Sequence, residues 1–128
     1  MTLVKSSHAK VGGKHRNDGT ENLNIYYELH GHGPNKLFFI MGLNTTSGGW
    51  DNQARHFGGH PDYQVCIFDN RGVGLSDSPY GLYSTNQMAH DAIDLLNYLG
   101  WTQNIHLIGI SMGGMIAQEL VLEKPHYV

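Results

Sequence analysis

Residues 104–114 run Asn-Ile-His-Leu-Ile-Gly-Ile-Ser-Met-Gly-Gly and join an apolar run to a helical pattern. The apolar run at 104–108 predicts a buried strand, and residues 112–124 predict the helix that follows it. Glycines at positions 109 and 113 suit a tight turn, because larger side chains would crowd a strained backbone at Ser111. The hydroxyl of Ser111 would then lie at the positive end of a helix, where a negatively charged oxygen is stabilised.

Strands and helices are predicted to alternate along the rest of the chain. The predicted strands are residues 24–30, 36–41, 63–68 and 104–108, and the predicted helices are residues 50–57, 84–99 and 112–124. Ser84 and Gln87 have the spacing of a capping box, and Gly100 provides a helix end. This alternation predicts an α/β fold in three layers, a mostly parallel sheet covered on both sides. Residues 1–20 are polar and glycine-rich, so we expect a weakly structured N-terminal extension with at most a short strand near residues 9–11.

Composition narrows the possible functions. The 128 residues are enough for one domain, and a net charge of −3 leaves no basic surface for nucleic acid. No segment has the length and hydropathy of a signal peptide or a membrane span, which favours a cytoplasmic protein. A phosphate-binding Gly-x-x-x-x-Gly-Lys-Ser/Thr motif is missing, and Gly72-x-Gly74 is followed by Asp77 where a dinucleotide motif needs glycine.

Cysteine and histidine give no sign of a metal or a cofactor. The single cysteine, Cys66, lies in an apolar run, so we expect a buried thiol and no internal disulfide. The close histidine pairs His30/His32 and His56/His60 each span a glycine-rich turn and have no cysteine nearby. We therefore expect neither a metal site nor a cofactor.

Three segments resemble those of the α/β-hydrolase fold family, and they follow one another in the family's order. Phe39–Leu43, followed by Trp50, stands where the family has a His-Gly loop after its third strand. Residues 69–76, Asp-Asn-Arg-Gly-Val-Gly-Leu-Ser, are similar to the family's Asp-x-Arg-Gly-x-Gly-x-Ser segment, and residues 107–114 contain Gly-x-Ser-x-Gly. The resemblance runs from about Asn24 to the C-terminus. It implies the N-terminal half of a truncated α/β-hydrolase fold, one incomplete domain over residues 1–128, similar to single-domain esterases and lactonases.

The resemblance also implies site residues. Ser111 matches the nucleophile, and the backbone N–H of Met112 matches one donor of the oxyanion hole. The backbone N–H of Leu43 matches the second donor, because it follows the glycine of the strand-three loop. Asp69 and Arg71 are expected to be structural, with Arg71 bonding loop carbonyls or a carboxylate.

The partners that activate such a serine have no match in this chain. A serine hydroxyl needs a histidine and a carboxylate, which follow the serine in this family. His126 is 15 residues beyond Ser111, roughly 20 Å away at the rise of a helix. His106 is five residues back along an extended strand, and His90 lies on a different helix where the family has no catalytic residue. Turnover by this chain is therefore an open question.

Two functions stay open. The first is a serine hydrolase acting on a small ester, lactone or related acyl substrate, represented here by its N-terminal fragment. The second is a non-catalytic α/β-hydrolase-like fragment or pseudoenzyme that binds a ligand or partner. In either case residues 104–110 would form an exposed apolar edge strand, which favours poor solubility or self-association.

Overall fold

The computed structural model describes residues 2–128, which form a five-stranded sheet with three α-helices. The strands are β1 (Leu3–Val11), β2 (Leu23–Gly31), β3 (Asn35–Ile40), β4 (Tyr63–Phe68) and β5 (Ile105–Gly109). The helices are α1 (Asp51–Gly58), α2 (Thr85–Leu99) and α3 (Met112–Glu123), with short 3₁₀ helices at Ser47–Trp50 and Pro125–Tyr127. The four predicted strands and three predicted helices are all present, with ends that differ by at most one residue.

The sheet has the strand order β1-β2-β4-β3-β5. Strands β3, β4 and β5 are parallel neighbours, whereas β2 is antiparallel to both β1 and β4. Four of the five strands consequently run in one direction. This arrangement confirms the predicted α/β class with a mostly parallel sheet.

Helices cover both faces of the sheet, and this explains the unbroken apolar runs in β3 and β4. On one face Phe38 and Ile40 pack with residues of α2 and α3. On the other face Leu37 and Phe39 pack against Trp50 and the α1 helix. Successive residues of β3 point to opposite faces, so each of these side chains is buried in one of the two cores.

Helix α2 has the ends that the sequence predicts. The Ser84 hydroxyl accepts a hydrogen bond from the Gln87 amide at 3.0 Å, and the Gln87 side chain accepts one from the Ser84 amide at 3.1 Å. Gly100 ends the helix with a φ of 76°, in the left-handed region that favours glycine.

The expectation of a weakly structured N-terminal extension is wrong for residues 3–11. Leu3–Val11 forms a nine-residue strand that pairs antiparallel with β2. The polar composition hid this strand because β1 is an edge strand with one solvated face, and only Ala9 and Val11 are buried. Met1, the first residue of the expected extension, lies outside the described residues.

Strand β5 is the opposite edge of the sheet. Among residues 2–128 it pairs with β3 alone, with Phe38 opposite Leu107 and Ile40 opposite Gly109. Cavities of about 630 Å³ and about 500 Å³ flank its two faces, and their walls are mostly apolar. The sequence prediction of an exposed apolar edge at residues 104–110 agrees with this position.

Candidate active site

The turn between β5 and α3 holds Ser111 in a strained conformation. Its φ of 55° and ψ of −122° lie in a region that residues other than glycine rarely adopt. Such a conformation costs about 1–3 kcal/mol and persists only where the surroundings impose it. Ser111 is exposed, at the entrance to the first turn of α3.

Two glycines allow this turn to form. A Cβ atom at Gly113 would overlap the carbonyl oxygen of Ile40, and a Cβ at Gly109 would overlap the carbonyl of Gly113. The start of α3 is therefore in backbone contact with the end of β3. Glycine is required at positions 109 and 113 because a larger side chain would overlap neighbouring backbone atoms, not because the backbone there needs to be flexible.

The loop after β3 lies directly beside Ser111. A Cβ atom at Gly42 would be 3.4 Å from the Cβ of Ser111 and 3.9 Å from the amide nitrogen of Met112. Leu43 is the next residue, and Leu43 and Met112 line the same small cavity of about 80 Å³. Within residues 2–128, neither the Leu43 nor the Met112 amide donates a hydrogen bond. Two residues whose amides are unused therefore line one cavity beside the loop that contacts Ser111.

Asp69, by contrast, has its carboxylate fully engaged. One oxygen accepts a hydrogen bond from the Ser47 amide at 2.7 Å, and the other accepts one from the Leu75 amide at 3.0 Å. The Asp69 carbonyl accepts a hydrogen bond from the Ser76 hydroxyl at 2.5 Å. The side chain is buried and joins two loops, as expected of a structural residue.

Arg71 is held by a buried carboxylate. Its guanidinium donates to Asp91 through Nε at 2.6 Å and Nη2 at 2.7 Å, and to the Thr20 hydroxyl at 2.8 Å. Arg16 donates to the same carboxylate at 3.1 Å. The prediction that Arg71 bonds a carboxylate agrees with this geometry, and the pair fixes the loop after β4 to α2.

The partners of Arg71 were not identified from the sequence, although one signal was present. Asp91 lies between Met88 and Leu95 on the apolar face of α2, where a carboxylate is stable only if it is paired. A charged residue in an apolar stripe predicts a buried ion pair. Nothing comparable in the local sequence marks Arg16 as its second partner.

The three histidines considered as bases do not approach Ser111. The His90 Nε2 atom lies 3.8 Å from the Glu123 carboxylate. Glu123 is the last residue of α3 and, at the rise of a helix, is about 18 Å from Ser111. His106 shares the sheet face of Leu37 and lines the cavity beside α1. His126 follows the end of α3. None of the three histidines therefore lies close to the Ser111 hydroxyl.

Other reactive groups offer no alternative centre. Cys66 is fully buried, and this burial raises the pKa of its thiol, so it is not a thiolate nucleophile. Within residues 2–128, no cluster of three or more histidine, cysteine or acidic residues could hold a metal ion. In the same range, no helix is both long and apolar enough to cross a membrane.

A family model described as the alpha/beta hydrolase fold matches residues 35–128. The chain belongs to the α/β-hydrolase fold family. The match spans β3 to α3 and therefore includes the strand-three loop, the Asp69 loop and the turn that carries Ser111.

Known α/β-hydrolases resemble this chain in sequence and structure. 3-Oxoadipate enol-lactonase 2 of Acinetobacter baylyi is 37% identical over 89 residues, which are 70% of this chain and 32% of that protein. The crystal structure of a hydrolase from Pseudomonas aeruginosa PA01 aligns with a TM-score of 0.80 and 28% identity, over 95% of this chain and 42% of that one. Est816, an N-acyl homoserine lactone degrading enzyme, aligns with a TM-score of 0.74 and 34% identity, over 87% and 40%.

The shares of length differ strongly between this chain and its relatives. Most of the chain is matched, but it spans between 32% and 42% of the length of these three proteins.

Proposed function

We propose that this α/β-hydrolase is part of a serine hydrolase that acts on a small ester, lactone or related acyl substrate. The observation that carries the proposal is the strained Ser111 between β5 and α3. Strain of this kind at an exposed serine opposes folding, and it is typical of residues held in position for chemistry.

In this mechanism the Ser111 hydroxyl oxygen attacks the substrate carbonyl carbon. A C–O bond forms, the carbonyl electron pair moves to oxygen, and the amides of Leu43 and Met112 donate hydrogen bonds to the resulting oxyanion. Their unused N–H groups and the closeness of Gly42 to Ser111 support this assignment. Loss of one such donor typically costs about 10²–10³ in rate.

The hydroxyl proton needs a histidine acceptor, which in turn needs a carboxylate to orient it. We infer that both lie outside these 128 residues, so that the chain is an N-terminal fragment and one incomplete domain of the enzyme. The support is that His90, His106 and His126 lie away from Ser111 and that the relatives are more than twice as long.

The substrate class rests on the relatives. One is named an enol-lactonase and another an N-acyl homoserine lactone degrading enzyme. Both names refer to lactones, which are cyclic esters, and an ester carbonyl suits a serine nucleophile with an oxyanion hole. We propose the same class of reaction here, and a cytoplasmic site for it.

The distance of these histidines from Ser111 also favours the second function, a non-catalytic fragment that only binds a ligand or partner. The discriminating experiment is fluorophosphonate labelling of the purified chain, measured by intact mass with and without added imidazole as a substitute base. The proposal predicts slow labelling that imidazole accelerates, with unchanged labelling in Ser78→Ala and none in Ser111→Ala. Ser78 is an exposed loop serine and serves as the matched control. Absence of a Ser111 adduct on a folded chain under both conditions would support the binding function.

The open edge of the sheet suggests self-association through residues 104–110. The edge carries unpaired backbone groups, and the first charged residue after Asp94 is Glu119, so no charge along β5 opposes strand pairing. Sedimentation should show concentration-dependent dimers or larger species that Leu107→Lys reduces. A monodisperse monomer at all concentrations would contradict this proposal.

A further inference from the structure

The loop that carries Leu43 is held at both ends by two consecutive residues after β4. At one end the Asn70 side chain donates a hydrogen bond to the Met41 carbonyl at 3.0 Å. At the other end the Asp69 carboxylate accepts one from the Ser47 amide at 2.7 Å. Both contacts are buried, so residues 41–47 are attached to the β4 loop rather than to solvent.

The Asn70 contact acts close to the Leu43 amide. The peptide bond that joins Met41 to Gly42 is planar, so fixing its carbonyl fixes the amide of Gly42 as well. Between that plane and the Leu43 nitrogen the only soft torsions are φ and ψ of Gly42, the residue type with the widest conformational freedom. The anchors at Met41 and Ser47 together restrict these two torsions, because a short loop held at both ends has fewer allowed conformations than one held at a single end. Without the anchor at Met41 the direction of the Leu43 N–H would be poorly determined.

The anchored carbonyl also touches the serine turn. A Cβ atom at Gly113 would lie 2.9 Å from the Met41 oxygen, and the Ile110 amide donates to the Ile40 carbonyl at 3.2 Å. The Met41 carbonyl is therefore enclosed between the Asn70 amide and the first turn of α3. This links the strand-three loop and the serine turn into one unit.

The Asn70 side chain is buried with one of its two polar atoms unpaired, so stability alone does not explain an asparagine at this position. It is 1% exposed, and its Oδ1 atom has no hydrogen-bond partner among the described residues. A buried acceptor without a partner opposes folding, and an apolar side chain of similar size would avoid that cost. The feature of asparagine that the structure uses is the donor to Met41.

We propose that Asn70 is a positioning residue for the oxyanion hole, acting through the Met41 carbonyl and Gly42 to direct the Leu43 N–H towards Ser111. This inference rests on the proposed function for its chemical consequence. Its structural part, the ordering of residues 42 and 43, is independent of catalysis and can be tested separately.

The test uses Asn70→Leu, which removes the donor at similar side-chain size, with Asn70→Asp as a second variant that retains the shape. Asn52→Leu, at an exposed position on α1, is the control. Three quantities are measured on the whole chain: the free energy of unfolding, the ¹⁵N order parameters of residues 42 and 43, and the imidazole-assisted rate of Ser111 labelling.

For Asn70→Leu we expect little change in stability, because removal of the unpaired Oδ1 atom offsets the loss of the donor to the Met41 carbonyl. We also expect order parameters for residues 42 and 43 that fall from about 0.85 towards 0.6, and at least tenfold slower labelling. Asn70→Asp should show the same loss of order and rate, and Asn52→Leu neither. Rigid residues 42–43, or an unchanged labelling rate, in an Asn70 variant that folds would overturn the inference. If the unmodified chain never labels at Ser111, the proposed function fails, while the order parameters still decide whether Asn70 positions the loop.

Discussion

The loop after β4 and the turn after β5 lie at the same end of the sheet, yet their polar groups are used differently. In the loop after β4, Asp69 and Arg71 are buried and their charged groups are bonded to other parts of the chain. In the turn after β5, Ser111 is exposed and strained, and the Met112 amide has no acceptor among the described residues. The polar groups of the β4 loop are used within the fold, whereas the strained serine and the unused Met112 amide are the groups that the proposed function assigns to a substrate.

The variant with the largest expected effect is Arg71→Leu, which tests whether the charged groups of the β4 loop stabilise the fold. Removing one partner of a buried ion pair leaves Asp91 incompletely compensated, so we expect a loss of about 3 kcal/mol in the free energy of unfolding. Urea denaturation measures the loss, and Arg55→Leu on the exposed face of α1 should change stability by less than about 0.5 kcal/mol. A loss below about 1 kcal/mol at Arg71 would mean that the β4 loop is not held by this pair.

Alanine at the two adjacent glycines of the serine turn should affect the free energy of unfolding differently. Gly113→Ala forces a Cβ atom into the Ile40 carbonyl, and we expect a loss of about 2 kcal/mol. A Cβ atom at Gly114 would meet only the Gly109 oxygen, at 3.7 Å. Since alanine is the better helix former by about 1 kcal/mol, Gly114→Ala should be neutral or stabilising. Equal effects at the two positions would show that the close contact between α3 and β3 is not a constraint.

The ion-pair network that supports Arg71 predicts a pH dependence. Burial alone would raise the pKa of Asp18, but hydrogen bonds from Arg16 and the Thr20 amide outweigh it and lower the pKa from 3.8 to about 2. A carboxyl group whose pKa is lower in the folded chain stabilises above its unfolded pKa, and this stability is lost as the pH falls from about 4 to about 2. Asp18→Asn should remove about 1–2 kcal/mol of that dependence. Parallel pH–stability curves for the variant and the unmodified chain would contradict the assignment.

The smallest expected effect is a gain in stability at the serine. Glycine adopts a positive φ without strain, so Ser111→Gly should stabilise the chain by about 1 kcal/mol after allowance for the greater freedom of glycine when unfolded. Ser111→Ala keeps the strain and should change stability little. Thermal denaturation of both variants measures the difference. A less stable Ser111→Gly would show that the turn is not strained.

The sequence predicted the serine turn better than the long-range contacts that hold the turn and its neighbouring loops in place. The Gly-x-Ser-x-Gly spacing is local, so the position of Ser111, the preceding strand and the following helix could all be inferred from residues 104–124. The supports are long-range contacts between polar residues, such as Asn70 with Met41 and Arg16 with Asp91, and no local periodicity encodes them. Strand β1 was underestimated for a related reason, since its pairing with β2 is visible only in three dimensions.

The most direct test of the account is a titration of the ¹⁵N-labelled chain, in the presence of imidazole as a substitute base, with a phenylboronic acid, which forms a tetrahedral adduct on a reactive serine. We expect the amide resonances of Leu43 and Met112 to shift most, because they would donate to the boronate oxygens. The amide resonances of Ser47 and Leu75, which already donate to Asp69, should shift little, and Ser111→Ala should abolish the response. Shifts centred on the β4 loop, or equal shifts in the Ser111→Ala variant, would contradict the assignment of the chemistry to the turn after β5.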